Sequence, residues 1–336
     1  MKAFAIDAYG GPERVTLREL DVPSVGPEDI LIRVRAASVN PVDIKIRQGG
    51  LKRLLPLRFP LILGSDVSGM VVDCGEAVTR FELGDDVYAR LEKLRIGAFA
   101  EYAVVNAAHA ALKPANLSHV EAAAIPLAGL TAYQALHDIG HLSAGQKVLI
   151  QAGAGGVGTL AIQLARHMGA IVATTTSERN EALVRDLGAE IVVDYHRERF
   201  DERLRDYDVV LDSLGGENLE RAFAVVKPGG VVVSISGLPD DAFARAWGMG
   251  PIVRLALLWM NRRVRQAARR HQARYAFLFM RPDGEQLDEL RRQLEAGTLR
   301  PVIDRVYPFE ETREAMAHVE SGHSHGKVVI EMPSDQ

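Results

Sequence analysis

KVLIQAGAGGVGTLAIQLARHMG, residues 147–169, decides the fold of this chain. KVLIQAG (147–153) is a short apolar run that reads as a buried strand, and VGTLAIQLARHMG (157–169) reads as an apolar helix stopped at Gly169. Between them, AGAGGVG (152–158) places Gly153, Gly155 and Gly158 in a GxGxxG spacing, with Gly156 added. Glycines at these positions permit a tight strand-to-helix turn and a close approach of backbone to an anion. The first turn of the helix then offers N–H groups that have no partner inside the helix. Such a turn suits the pyrophosphate of a dinucleotide. The alternative is a tight turn that binds nothing, and the strand-before, helix-after context argues against it.

The residues that follow repeat the alternation. AIVATTT (170–176) is a second strand, ERNEALVRDLG (178–188) a helix with a glycine stop, and EIVVDY, YDVVLDS and GGVVVSIS supply further strands. A βαβ series of this kind predicts a parallel sheet covered by helices, an α/β fold of the doubly wound Rossmann type. In an NAD site the end of the second strand carries Asp or Glu for the ribose hydroxyls. Here the strand ends in Thr174, Thr175, Thr176 and Ser177, followed by Glu178, which opens the next helix, and Arg179. Hydroxyls and a guanidinium suit a 2′-phosphate that a strand-end carboxylate would repel. NADPH/NADP is therefore the expected cofactor; the plainer reading of Arg179 is a solvated helix residue.

Upstream, residues 2–6, 30–39, 61–75 and 78–89 read as short strands separated by turns, the texture of a partly open barrel. Ser118 is a helix cap with Glu121 three residues on, and Pro126 interrupts that helix. Near the C-terminus, GTLRPVIDRVYPFEE and GKVVIEM return to short strands. A split first domain closed by the C-terminal segment accounts for that return. The expected domains are a barrel-like (GroES-like) substrate domain at 1–122 and 301–336 and a cofactor domain at 123–300, with the active cleft between them.

Composition narrows the function classes. A length of 336 residues suggests about two domains, and 47% hydrophobic with 25% charged residues excludes a wholly disordered chain. A net charge of -4 argues against a generally basic nucleic-acid binder, so no nucleic-acid partner is expected. The single cysteine, Cys74, permits neither an intramolecular disulfide nor a multi-cysteine zinc site. MKAFAIDAYG shows no apolar core followed by a cleavage site, and no membrane span is expected; the chain reads as cytoplasmic. One segment stands apart. Residues 240–275 carry Arg254, Arg262, Arg263, Arg265, Arg269, Arg270 and Arg274, with no acid between Asp241 and Asp283. They read either as an amphipathic excursion whose arginines face solvent or the cofactor cleft, or as a membrane-surface or polyanion contact.

GQKVLIQAGAGGVGTLAIQLAR (145–166), TAYQAL (131–136), ASVNPVDIKIRQG (37–49), LGSDVSG (63–69), FLFMRPDG (277–284) and GKVVI (326–330) together resemble the medium-chain dehydrogenase/reductases. More narrowly, they resemble the zinc-independent quinone oxidoreductase (zeta-crystallin-like) branch, over nearly the whole chain and most weakly at 240–275. The zinc alcohol dehydrogenases of the superfamily hold catalytic zinc with a cysteine near 40 and a His-Glu after the later glycine. This chain has Asn40 and Gly64-Ser65-Asp66 there, and no metal is expected.

The resemblance implies NADPH-dependent reduction of a small apolar quinone or α,β-unsaturated carbonyl by metal-independent hydride transfer, in a homodimer. An enoyl-thioester reductase and a non-catalytic NADPH-binding scaffold or stress protein are the alternatives. It places Asn40 at the substrate–nicotinamide cleft as an amide donor. Lys45 stands where the zeta-crystallin-like pattern has a tyrosine, and its ammonium would stabilise an enolate or donate a proton; otherwise it is a solvent-facing charge. On the cofactor side, Thr131 lies near nicotinamide and its phosphate. Ala154, Gly155, Gly156, Val157 and Gly158 lie against pyrophosphate, and Thr175, Ser177 and Arg179 belong to the 2′-phosphate region. Tyr195 flanks adenine or that phosphate. Ser213 and Leu214 lie beside the adenosine ribose, Phe277 covers nicotinamide or is a plain buried strand residue, and Lys327 reaches a cofactor phosphate.

Overall fold

Six strands of the computed structural model, which describes residues 1–333, form one parallel sheet. In spatial order they are Ile191–Asp194, Ile171–Thr176, Lys147–Ile150, Tyr207–Asp212, Val226–Ser234 and Arg274–Phe277, and every adjacent pair is parallel. Numbered along the chain, that order is third, second, first, fourth, fifth, sixth. The order reverses beside the first strand, and in open α/β sheets ligands bind beyond the strand C-termini at such a switch point. The strands are apolar because both faces are covered. Val148, Leu149, Ile150, Val209, Val210, Leu211, Val231, Val232 and Val233 are all buried. The helix Gly156–His167 follows the first strand and buries Leu160, Ile162 and Leu164. Each such side chain contributes about 1.5–3 kcal/mol. This unit comprises residues 131–280.

The second unit, residues 1–130 with 281–336, is mostly antiparallel. Its larger sheet runs Ile303–Pro308, Lys327–Glu331, Asp29–Val39, Asp66–Cys74, Asp86–Arg90 and Ala110–Leu112, with Tyr102–Asn106 also paired to Asp29–Val39. Only the pairing of Ile303–Pro308 with Lys327–Glu331 is parallel. A three-stranded sheet of Thr16–Glu19, Lys2–Ile6 and Leu61–Ile62 completes the unit. Asp29–Val39 is its spine, at 11 residues, and the C-terminal strand Lys327–Glu331 pairs directly with it. That pairing makes the unit discontinuous in sequence.

The boundaries fall at 130/131 and 280/281 rather than at 122/123 and 300/301. The helix Gly284–Glu295 explains the second difference. Tyr88 donates its hydroxyl hydrogen to the Leu287 carbonyl at 2.6 Å, Arg80 pairs with Asp288 at 2.7 Å, and Asn116 donates to the Leu294 carbonyl at 2.9 Å. Gly284 has no room for a side chain, since a Cβ would lie 2.4 Å from the Ala110 carbonyl oxygen. The helix is thus bonded to the antiparallel unit. The expected break at Pro126 is present: Ser118 caps His119–Ala123, and Pro126–Tyr133 is a new helix.

Candidate active site

At the C-terminal edge of the parallel sheet, the glycine turn is built by exclusion of side chains. A Cβ on Gly153 would lie 2.0 Å from Thr174 Oγ1, and one on Gly158 would lie 2.4 Å from the Ala152 carbonyl oxygen. Gly155 is different. It is the N-cap of Gly156–His167 with φ -81° and ψ 171°, and a Cβ there would have its nearest neighbour 3.3 Å away. No side chain caps this helix. Its first N–H groups are therefore unspent within the helix, as a pyrophosphate requires.

The neighbouring strand braces that turn. Thr175 is buried and its Oγ1 accepts from Ala152 N at 3.0 Å, while its carbonyl accepts from Gly153 N at 3.0 Å. Thr175 therefore braces the turn through its hydroxyl oxygen and its carbonyl. Beyond the strand, Ser177 is buried and accepts from Asn180 Nδ2 at 3.2 Å. Arg179 is exposed and its guanidinium has no partner among the described residues. The nearby acids are committed, since Arg197 pairs with Glu178 at 2.5 Å and with Asp194 at 3.6 Å. Tyr195 is exposed, its ring 4.3 Å from that of His196, and its N–H donates to the Thr176 carbonyl. Ser213 Oγ donates to the Gln151 carbonyl at 3.1 Å, and Leu214 is half exposed. Ala154, Gly155, Gly156, Val157, Ser177, Arg179, Tyr195, Ser213 and Leu214 thus share one edge of one sheet.

Asp212, which the sequence patterns do not single out, fixes part of that edge. It is fully buried at the end of Tyr207–Asp212, accepts from Leu214 N at 3.2 Å and Gly215 N at 2.9 Å, and is also bonded by the Ser234 hydroxyl. Burial pushes its carboxyl above the usual carboxylate range. A carboxylate closing an otherwise apolar VVLD run is the signal that could have found it. Phe277 lies at the end of the edge strand, half-buried, edge-on to Phe243 at 5.2 Å, with its N–H donating to Asp240. It is part of an aromatic group with Trp247 and Phe279. Thr131 is buried in the helix Pro126–Tyr133.

In the antiparallel unit a buried polar cluster surrounds Asn40. Asn40 is 2% exposed and starts the helix Pro41–Arg47. Its Nδ2 donates to Asp66 Oδ2 at 2.9 Å and to the Ser38 carbonyl at 3.4 Å, and its Oδ1 accepts from Lys327 Nζ. Asp66 is fully buried and also accepts from Ser38 Oγ and Leu127 N, each at 2.9 Å. Asp43, three residues after Asn40, accepts from Asn40 N at 2.8 Å and Ser65 Oγ at 2.7 Å. Its burial pushes the carboxyl up to about 6. Arg90 is buried as well, and Asp66 and Asp43 act on it electrostatically. Two carboxylates and two cations are thus enclosed together.

This cluster changes the expectations for Asn40 and Lys327. Both donor hydrogens of Asn40 are engaged inside the protein, so its amide orients the loop and is not a free donor. Lys327 does not offer its ammonium to a cofactor phosphate: it is 5% exposed and bonded to Asn40 Oδ1 and the Val39 carbonyl, 3.6 Å from Asp66. Burial holds it below the ordinary lysine range, with Asp66 and Asp43 pulling the other way. Lys45 is exposed on Pro41–Arg47 and its side chain has no partner among the described residues. The donor types around Asn40 also do not make a metal site. They are an amide, hydroxyls and two carboxylates enclosed with the cations of Lys327 and Arg90, and no cluster of three His, Cys, Asp or Glu occurs among the described residues.

A parallel sheet with this order and turn, joined in sequence to a discontinuous antiparallel unit, defines a medium-chain dehydrogenase/reductase. Residues 26–115 match the family model described as "Alcohol dehydrogenase GroES-like domain", and residues 187–330 match "Zinc-binding dehydrogenase". The chain is 36% identical to the NAD(P)H oxidoreductase RTN4IP1, mitochondrial, of Danio rerio, over 100% of this chain and 92% of that protein. It is 35% identical to the NADPH-dependent alkenal/one oxidoreductase, chloroplastic, of Arabidopsis thaliana, over 98% and 79%. Among solved structures it superposes on the quinone oxidoreductase from Coxiella burnetii with a TM-score of 0.84 and 33% identity, covering 99% of each chain. The chain belongs to the zinc-independent quinone oxidoreductase (zeta-crystallin-like) branch of that superfamily. The expectation of a cytoplasmic location is overturned by these relatives, since RTN4IP1 of four vertebrates is named as mitochondrial.

Proposed function

We propose that the protein reduces quinones and α,β-unsaturated carbonyls with NADPH, by direct hydride transfer without a metal. The observation that carries this reading is the uncapped helix start at Gly155, beside a strand end that offers Ser177 and a partnerless Arg179. The named activities of the alkenal/one and quinone oxidoreductase relatives support the substrate class. NADPH, when bound, supplies the hydride, and the acceptor takes up that hydride and one proton to give a hydroquinone or a saturated carbonyl. The backbone of 154–158 holds the pyrophosphate, Ser177 and Arg179 hold the 2′-phosphate, and Ser213 and Leu214 border the adenosine ribose. Asn40 acts as a positioning residue, locked by Asp66 and Lys327. Lys45 is the free ammonium of the same segment and supports the oxygen on which negative charge develops. The homodimer implied by the family resemblance belongs to this reading, and light scattering of the purified protein tests it.

The defining experiment follows NADPH oxidation with a small quinone and a small enone, with NADH alongside. Turnover of neither acceptor, with NADPH binding intact, would leave the scaffold reading. Arg179→Ala is expected to raise the NADPH dissociation constant about 10-fold, the scale of a charge-assisted phosphate bond, and to leave NADH binding unchanged. Equal changes for both nucleotides would remove Arg179 from the site. Lys45→Met is expected to slow single-turnover hydride transfer about 10-fold, below the hundredfold scale of an enclosed oxyanion donor because the ammonium is solvated. An unchanged rate would leave proton delivery to solvent.

A further inference from the structure

The helices Pro251–Met260 and Arg262–Arg270 carry features that hydride transfer does not use. On the first, Ile252 (83% exposed), Leu255 (69%) and Trp259 (66%) recur at helical spacing on the outer side, while Leu257 and Leu258 are half-buried. Surface helices ordinarily turn polar residues outward, so an exposed apolar stripe marks an interaction face. The second helix buries Val264 and Ala268 and exposes Arg262, Arg263, Arg269 and Arg270. The Arg262 guanidinium lies 4.5 Å over the Trp259 ring, which joins the apolar stripe to the basic one. Among the described residues Arg262, Arg269 and Arg270 have no ion pair, and Arg263 approaches Glu220 at 4.0 Å. Asp241 is committed to Arg245 and Arg254.

We propose that these two helices dock on the surface of an anionic lipid bilayer. Exposed aliphatic side chains with a tryptophan beside a run of arginines are what an interfacial helix needs: the apolar stripe enters the acyl boundary and the guanidiniums meet lipid phosphates. Attachment is peripheral, because no helix among the described residues is long and apolar enough to cross a membrane. A soluble polyanion would meet the arginines and leave Ile252, Leu255 and Trp259 in water. A second copy seated by a two-fold axis would also cover the apolar stripe, and self-association measured beside vesicle binding separates it from a bilayer. The proposal is independent of which acceptor the protein reduces.

Vesicle flotation tests it with the full chain. Binding is expected to vesicles of phosphatidylcholine containing phosphatidylglycerol and not to pure phosphatidylcholine, with a blue shift of tryptophan emission. The chain has two tryptophans, and Trp247 is already packed on Phe243 and Phe279, so the shift reports Trp259. Arg262→Gln with Arg270→Gln is expected to lower the partition coefficient about 30-fold. Ile252→Ser, Leu255→Ser and Trp259→Ser together should abolish binding. All these positions are exposed, and an unchanged Tm verifies that the variants remain folded. No binding to either vesicle, or equal binding to both, would overturn the proposal. So would self-association that the serine substitutions abolish without any vesicle binding, which would assign the face to a second copy.

Discussion

Lys327→Met should cost the protein about 3–5 kcal/mol of folding stability, the usual penalty for leaving a buried charge without its partner. Asp66 has no exposure, and its ion-pair partner in the cluster is the Lys327 ammonium. Methionine fills much of the lysine stem's volume, so the loss reports the charge and not a cavity. Two further bonds go with it, those to Asn40 Oδ1 and the Val39 carbonyl. Arg90 remains nearby and limits the loss to the lower part of the range. Asp66→Asn placed in the same chain removes the orphaned charge and should restore at least half of the stability. Denaturant unfolding of the two single variants and the double variant measures this directly. Simple additivity of the two single losses would mean that Asp66 and Lys327 are not coupled, and the locked orientation of Asn40 would lose its explanation.

The parallel sheet was legible because its signals are local. A short apolar strand, a glycine turn and an apolar helix recur within some 40 residues, and short-range spacing fixes each step. The turn residues 153–158 and the second-strand end at Ser177 were legible for the same reason. What sequence did not show is pairing across long separations. Lys327 and Asn40 are 287 residues apart, and only the antiparallel register of Val328 on Val39 brings them together. Read alone, Lys327 was a lysine free to reach a phosphate, and Asn40 an amide free to reach a substrate. Lys327 instead donates to Asn40 Oδ1, and Asn40 donates to Asp66 and the Ser38 carbonyl. The helix Gly284–Glu295 was misplaced for a similar reason. Its residues lie inside the expected cofactor domain of 123–300, while its contacts with Tyr88, Arg80 and Asn116 join it to the antiparallel unit. Thr175 illustrates the limit within a single motif: spacing put a hydroxyl at the strand end, but not the bond by which its oxygen braces the turn.

The glycine turn yields the sharpest contrast between fold and function, because two of its glycines are needed for different reasons. Gly158→Ala puts a Cβ 2.4 Å from the Ala152 carbonyl oxygen and 2.8 Å from Gly153 Cα, and both are backbone atoms with little freedom to move. Its main effect is a stability loss of about 1–3 kcal/mol from overpacking between helix and turn. Gly155→Ala meets the same Ala152 carbonyl oxygen at 3.3 Å, a tight contact relieved by a shift of a few tenths of an ångström, and its φ of -81° is open to any residue. The free protein should tolerate it with little change in Tm. The added methyl instead stands where the pyrophosphate approaches the backbone, and displacing charge-assisted N–H bonds worth about 1.5–3 kcal/mol each should raise the NADPH dissociation constant about 100-fold. Calorimetric titration with NADPH, beside thermal unfolding of the same samples, separates the two. If Gly155→Ala binds NADPH as tightly as the parent chain, the pyrophosphate does not lie against this turn. The uncapped helix start would then be structural, and the dinucleotide reading would have to rest on the strand ends alone.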